Sequence, residues 1–332
     1  MISRRTKQKC KEIFSQKRGL VGLILFSILF LSACFANFIS NDKPIFVNYG
    51  NKIYWPIFVD YPPESFDLQD VFVIDYQALI SEKKLTHLNP FNPWNAEQHT
   101  DSILSAPSET HLLGTDNLGR DIFARLIYGM RISLSFGIIL WFISFAVGVF
   151  IGAAQGYFLG PFDFLVERFK ELTSIIPILT LIILVTAITN QQSFFVILCL
   201  VLLFNWMGIA SQIRASVLSL SRQEFCQAAQ ALGASHTRII FKHLLSNSLA
   251  PIITLSPFAI EGGISLLAGL DYLGFGLPPP TPSLGELMAQ GKDHLQNAPW
   301  VLISPIITIL LLLISINLIG QSLRTVFDPK AN

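Results

Sequence analysis

Charge is what this chain has least of. Only 14% of its 332 residues are Asp, Glu, Lys or Arg, and mean hydropathy is +0.53, which excludes an ordinary soluble protein although the length would allow two soluble domains. A net charge of +1 gives no electrostatic case for nucleic acid. Cysteine is scarce as well: Cys10, Cys34, Cys199 and Cys226 are scattered, with none between residues 40 and 131, so neither a disulfide framework nor a metal spacing follows. The six histidines (His87, His99, His111, His236, His243, His294) have no metal-ligand spacing. There is no G-x-x-x-x-G-K-[ST], so the chain has no phosphate cradle of its own, and there is no H-E-x-x-H or G-x-S-x-G. A membrane-embedded hydrolase or transferase would need a polar constellation within its apolar runs, and Glu261 stands nearly alone there.

Apolar runs of bilayer length, about 20 residues each, are what the chain has in abundance. Residues 1–18 carry seven Lys/Arg against one Glu and precede an uncharged first span at 19–39. Within it, Leu31-Ser32-Ala33-Cys34 resembles a lipoprotein cleavage box, but five further membrane segments favour an uncleaved anchor. Residues 40–115 are polar, acidic and rich in Pro and Asn, and read as a small extracytoplasmic domain inserted after the first span. In it, 44–47 and 52–58 alternate as a β-hairpin around Tyr49-Gly50-Asn51, and 77–84 reads as a helix. Residues 116–332 form the core, with spans expected at 132–157, 169–190, 194–217, 248–270 and 300–320. The expected fold class is an all-α integral membrane protein of about six transmembrane helices with a small mixed insertion. Six spans put residues 1–18, the short loop 158–168, the loop 218–247 and the tail 321–332 on one side, with 15 of the 23 Lys/Arg once Lys170 and Arg214 at the adjoining span ends are counted with it. The excess of basic residues marks that side, and both termini, as cytoplasmic.

Residues 223–251, QEFCQAAQALGASHTRIIFKHLLSNSLAP, are the one long polar and basic passage of the apolar second half. A short helix at 224–232 carries Phe225, Ala228, Ala229 and Leu232 at helical spacing. Gly233 ends it where the chain needs a left-handed turn. A second short helix at 237–245 has Ile240, Phe241, Leu244 and Leu245 as its apolar set. Such an elbow between two spans has no reason to be apolar on one side unless that side docks on something.

The wording of this elbow resembles that of permeases of ABC importers, which carry E-A-A, three residues, Gly, nine residues and I-x-L-P. Here Gln227-Ala228-Ala229, Gly233 and His243-Leu244-Leu245-Ser246 stand at those intervals, and His243, Leu245 and Asn247 fit the H-x-L-P-N tail of the oligopeptide branch. Gln227, His243 and Ser246 depart from the general pattern. The resemblance implies that Glu224, Gln227, Ala228, Ala229, Gly233, His243 and Leu245 form the loop that couples to a separate ATPase.

A second motif lies in HLLGTDNLGRDIFARLIYGMRIS, residues 111–133. Asp116 can cap a following helix, Asp116/Arg120 and Asp121/Arg125 are four-residue pairs, and Leu118, Ile122, Phe123, Leu126, Ile127 and Met130 form an apolar stripe. The pattern reads as a helix lying in the membrane interface and leading into the next span. Gly114, Thr115, Asp116, Gly119, Arg120, Asp121, Arg125, Gly129 and Arg131 follow the LGTDxxGRD…R…G.R.SL pattern that resembles dipeptide and oligopeptide permeases. The segment AIEGGISLLAGLDYLGFGLPPPTPSLGELM also resembles that class, with Gly262 in place of the usual Ala. NDKPIFVNYGNKIYWPIFVDY, from residue 41, resembles the insertion of an oligopeptide importer subunit associated with microcin C uptake.

The resemblance implies the type I ABC importer permease fold in the inner membrane. It also implies a second homologous permease, ATPase subunits, an extracytoplasmic binding protein and a peptide substrate as partners, besides membrane lipid. ATP and Mg would be bound by the partner, so this chain needs no cofactor, binds no metal and has no catalytic residue. Pro177, eight residues into the third span, should kink it, either lining the path or as a packing irregularity. Glu261, a carboxylate at membrane depth, either faces the pore or bonds a neighbouring span. The other readings are a permease for another solute such as nickel, an ATPase-independent transporter, and an enzyme carried by the 40–110 domain. The second predicts polar groups in several spans and an internal inverted repeat, which are not seen; the third lacks any catalytic spacing.

Overall fold

The computed structural model describes residues 16–50, 52–68, 72, 74–83, 85–189 and 192–327. The basic residues 1–15, the turn residue Asn51, the end of the third expected span and the tail beyond residue 327 lie outside them. The helices are α1 (Lys17–Cys34), α2 (Ala36–Ile39), α3 (Tyr76–Lys83), α4 (Ile122–Phe158), α5 (Gly160–Ser174) and α6 (Ile178–Thr189), then α7 (Phe194–Ser221), α8 (Glu224–Ala231), α9 (His236–Arg238), α10 (Leu245–Tyr272), α11 (Leu284–Asp293) and α12 (Pro299–Phe327). Among them α1, α4, α7, the stretch Ile252–Tyr272 of α10, and α12 are long and apolar enough to cross a membrane. A sixth crossing arises if α5 and α6 count as one bent span.

That pair is where expectation and structure part. A span kinked at Pro177 was expected over 169–190, after a loop at 158–168. The loop is mostly helix α5 instead, while the chain does bend at the short break that holds Pro177, by 70° between α5 and α6. Pro177 sits directly before α6, where its missing N–H costs nothing and the residue ahead of it is steered out of helical geometry.

The chain divides into two compact units. One holds the residues to Phe26, Ser133–Pro278 and the chain from Leu311. Its α4 and α7 approach closely because Gly148, Gly152 and Gly156 recur every four residues, so that one face of α4 has no side chains. A Cβ on Gly152 would lie 2.9 Å from the Cα of Ala210. At the end of this seam Asp163 of α5 accepts two bonds of 2.6 Å from the Arg214 guanidinium of α7, while Gln155 donates to both Asp163 and Glu167.

The other unit holds Ser27–Ile132 and Pro279–Leu310. The inserted domain has a three-stranded antiparallel sheet in the order β2-β1-β3 (Lys52–Tyr54, Phe46–Tyr49, Thr86–Leu88). The hairpin forms two residues later than expected in its first strand, with Val47 opposite Tyr54. The helix expected at 77–84 is α3, and the third strand was not expected. Val47, Phe66, Tyr76 and Leu79 make the small core, flanked by Tyr49, Tyr54 and Tyr61.

Candidate functional site

The elbow is built as a clamped turn. α8 ends where Gly233 takes φ +75°, a conformation that costs a side-chain-bearing residue about 1–2 kcal/mol. Around it, the Gly233 N–H donates to Gln230 O at 2.9 Å and the Ala234 N–H to Ala229 O at 3.1 Å, which satisfies the last carbonyls of α8. Ser235 then caps α9. The second half is not the separate short helix expected at 237–245. α9 runs through one π-helical passage, Ile239–Leu244, straight into α10, so the elbow and the following span are one continuous rod.

The inward face of the elbow is thoroughly packed. Cys226, Ile239, Ile240, Leu244 and Leu245 form one buried cluster with Ala153 of α4 and Ile213 and Val217 of α7, and Ala229 packs against it. Burial pushes the Cys226 thiol above its usual range, which keeps it protonated and inert. The Tyr157 hydroxyl, at the end of α4, meets His236 Nδ1 at 2.7 Å and ties the elbow to a second span. What stays outside is also apolar: Phe225 and Phe241 are exposed and Leu232 is 88% exposed, beside exposed Ala228. Glu224 and Gln227 share this outer surface, and the Gln227 amide reaches back to Arg222 O. His243 is half-buried, and its carbonyl accepts from Asn247 at 2.8 Å. The apolar residues of the motif therefore divide: Ala229 and Leu245 hold the elbow in place, while Phe225, Ala228 and Leu232 face outward.

The 111–133 motif becomes a buried ionic knot rather than an interfacial helix. Gly119 at φ +72° stops helix formation, and residues 115–121 close a tight turn with a bridge between Thr115 and Asp121. Helix α4 starts only at Ile122 and continues without a break to Phe158. The capping role expected of Asp116 falls to Asp121, whose Oδ1 accepts from the Ala124 N–H at 2.8 Å. Asp116 instead accepts from Leu118 N and Arg120 N with one oxygen and from Arg120 Nε with the other at 2.7 Å. Thr115 holds the loop through Ser102 O and Ser105 N. Gly114 makes room for the Trp300 ring. At the first turns of α4, Gly129 lies against Leu284 and Arg131 stacks over Tyr128 while donating to Asn37.

Arg120 and Arg125 are 1% and 0% exposed, and both donate to the Glu286 carboxylate on α11. Arg125 also reaches Ala96 O at 3.1 Å and lies 3.6 Å from Asp116. Two cations meet two carboxylates, so the knot is neutral. Beside it Asp121 joins His111 Nδ1 at 2.9 Å and the Asn92 amide at 2.9 Å. The cluster ties the start of α4 to α11 through ionic bonds. It is a brace. Glu286 was not singled out from sequence; its one signal was an acid just past the PPPTPS segment, on the same side of the membrane as Arg120 and Arg125.

Glu261 is half-buried in α10, near the Asn317 side chain of α12. Further along the same unit, Trp141, Asn205, Gln212 and Ser256 line a crevice of about 150 Å³ between α4, α7 and α10. The Asn205 amide donates to Ser144 at 3.0 Å. These polar groups on α4, α7 and α10 correct the expectation that the spans lack them; each stands singly in an apolar run and so escaped notice. No group of three or more potential metal ligands occurs among the described residues.

Residues 117–332 match the profile of a family described as binding-protein-dependent transport system inner membrane component. The chain is 37% identical to the peptidoglycan transport system permease protein YejE of Agrobacterium fabrum, covering 98% of this chain and 93% of the relative. It is 38% identical to the inner membrane ABC transporter permease protein YejE of Escherichia coli, covering 95% and 94%. With the dipeptide transport system permease protein DppC of Alkalihalophilus pseudofirmus it shares 35% identity over 71% of this chain and 77% of the relative. The first two alignments take in the inserted domain; the third covers little more than the family core.

Proposed function

The chain belongs to the family of binding-protein-dependent transport system inner membrane components, and on that premise we propose that it is the permease subunit through which an ATP-driven importer passes peptides. It works with a second permease and with an extracytoplasmic binding protein that delivers the solute. ATPase subunits receive the elbow, and both termini lie in the cytoplasm. Peptides are the solute class because the named cargoes of the relatives, peptidoglycan and dipeptide, share peptide bonds.

One observation carries the coupling role. The elbow presents Phe225, Ala228 and Leu232 outward from a base that is locked to α4 and α7 and is continuous with α10. A partner that grips the outer face moves the start of α10 with it, since no glycine or proline lies between Gly233 and Pro251 to absorb the motion. Movement follows only if the gripped face has different affinity in the two states of the transporter. Asn205, Gln212 and Ser256 are polar side chains in the crevice between the same helices.

Gly233→Leu tests this. The space around Gly233 is open, so the substitution strains only the backbone turn. The complex should assemble with its ATPase, and ATP hydrolysis should become uncoupled from peptide uptake in proteoliposomes. Normal coupled uptake by that variant, together with a crosslinker at Ala228 that captures no ATPase, would rule the reading out.

A further inference from the structure

We infer that residues 55–59 of the inserted domain, Trp-Pro-Ile-Phe-Val, are a membrane-surface anchor whose Trp55, Phe58 and Val59 side chains sit in the lipid at the level where α1 leaves the bilayer. The loop is apolar and outward-facing: Trp55 is 44% exposed, Phe58 66% and Val59 50%, and the neighbouring Ile53 is exposed too. No charged residue lies between Lys52 and Asp60. A contiguous patch of this kind on a small polar domain marks an interaction surface.

The loop is held in this form. Phe58 N and Val59 N both donate to Trp55 O, at 3.1 and 3.2 Å, and Trp55 N donates to the Tyr61 hydroxyl at 3.2 Å. The Trp55 ring is braced on Phe46 with centroids 5.9 Å apart, and the Lys43–Asp60 ion pair closes the loop behind it. With its backbone pinned, the loop keeps its apolar side chains outside the domain core of Val47, Phe66, Tyr76 and Leu79.

The height of the loop identifies the occupant. Helix α1 has 18 residues, and at 1.5 Å each it is about 27 Å long, close to the ~30 Å hydrocarbon thickness. Its end at Cys34 therefore lies at the boundary between acyl chains and headgroups. Phe35 and Phe38 follow at once, with ring centroids 6.1 Å apart, and the Phe58 ring stands 5.6 Å from Phe38. The outward line Ile28, Leu31, Phe35 and Phe38 climbs one face of α1 and α2 and runs directly into the loop. Side chains continuous with a membrane-spanning surface, rich in aromatics and free of charge, are suited to the interfacial layer, where an apolar element buries about 5–10 Å deep. The anchor would fix the inserted domain against the bilayer at two points, the end of α1 and this loop.

The test uses the full chain produced with its partner subunits and placed in lipid nanodiscs. A fluorophore sensitive to its surroundings is attached at Phe58→Cys, with the native cysteines changed to Ser, and at exposed Glu82→Cys of α3 for comparison. Labels at Phe58→Cys should emit to the blue, be quenched several-fold more strongly by lipids with a nitroxide near the headgroup than at Glu82→Cys, and be shielded from aqueous iodide. Val59→Cys repeats the measurement in case labelling at residue 58 distorts the turn. Iodide quenching equal to that at Glu82→Cys would overturn the inference. So would shielding from both quenchers, which means that a protein partner covers the loop instead of lipid.

Discussion

Arg120 and Arg125 are legible in the sequence as half of an ionic arrangement, and Glu286, more than 160 positions away, supplies the other half. Removing one member of a buried ion pair leaves an uncompensated charge, which costs about 3–5 kcal/mol. Glu286→Ala should therefore destabilise the fold by about 3 kcal/mol, the lower end of that range, because the Glu286 side chain is 20% exposed and water can reach the orphaned cations. Thermal unfolding in detergent and the steady-state amount of protein in the membrane would register the loss. Glu286→Gln, which keeps an acceptor for one arginine, should lose less. Equal behaviour of Glu286→Ala and the natural protein would mean that the brace contributes nothing. The pairing Asp116/Arg120 was readable at four-residue spacing, yet it forms in a turn and not on a helix, because Gly119 at φ +72° breaks the helix that the spacing presupposed.

At the scale of elements, α4 and α7 depend on a face without side chains. The stripe Gly148, Gly152, Gly156 lets the backbones meet, and any larger residue must push α7 away. Gly152→Leu should lower the thermal stability of the complex and loosen the elbow, because Ala153, Ile213 and Val217, which hold the elbow down, sit on the two helices it would separate. Hydrogen exchange in α8 should accelerate in that variant; unchanged exchange with full stability would show that the seam tolerates the bulk. Long apolar helices were visible from hydropathy alone, and their ends were not. The stretches 158–168 and 237–245 became parts of α5 and of the α9–α10 rod because packing against α7 extends helices past the point where local pattern stops. Strand β3 escaped notice because its three residues are exposed and pair with β1 about 40 positions earlier.

On the scale of the whole molecule, the proposed orientation, with the elbow on the basic cytoplasmic side, rests on the asymmetry of Lys and Arg. A reporter that is active only outside the cytoplasm should work when fused at residue 75, within the inserted domain. A fluorescent protein that matures only inside should report when fused after residue 332. The opposite pattern would place the elbow out of reach of any ATPase and end the proposed mechanism. The sequence by itself determined that this is a multi-pass membrane protein, roughly where its spans lie, and which family its two motifs belong to, because bilayer-length hydropathy and short-range spacing are local properties of the chain. Tertiary structure alone decided which apolar residues of the elbow face outward, that Glu286 completes the arginine knot, and that Phe58 rests on Phe38. Each of these joins residues that only folding brings together, and no local pattern encodes such a meeting.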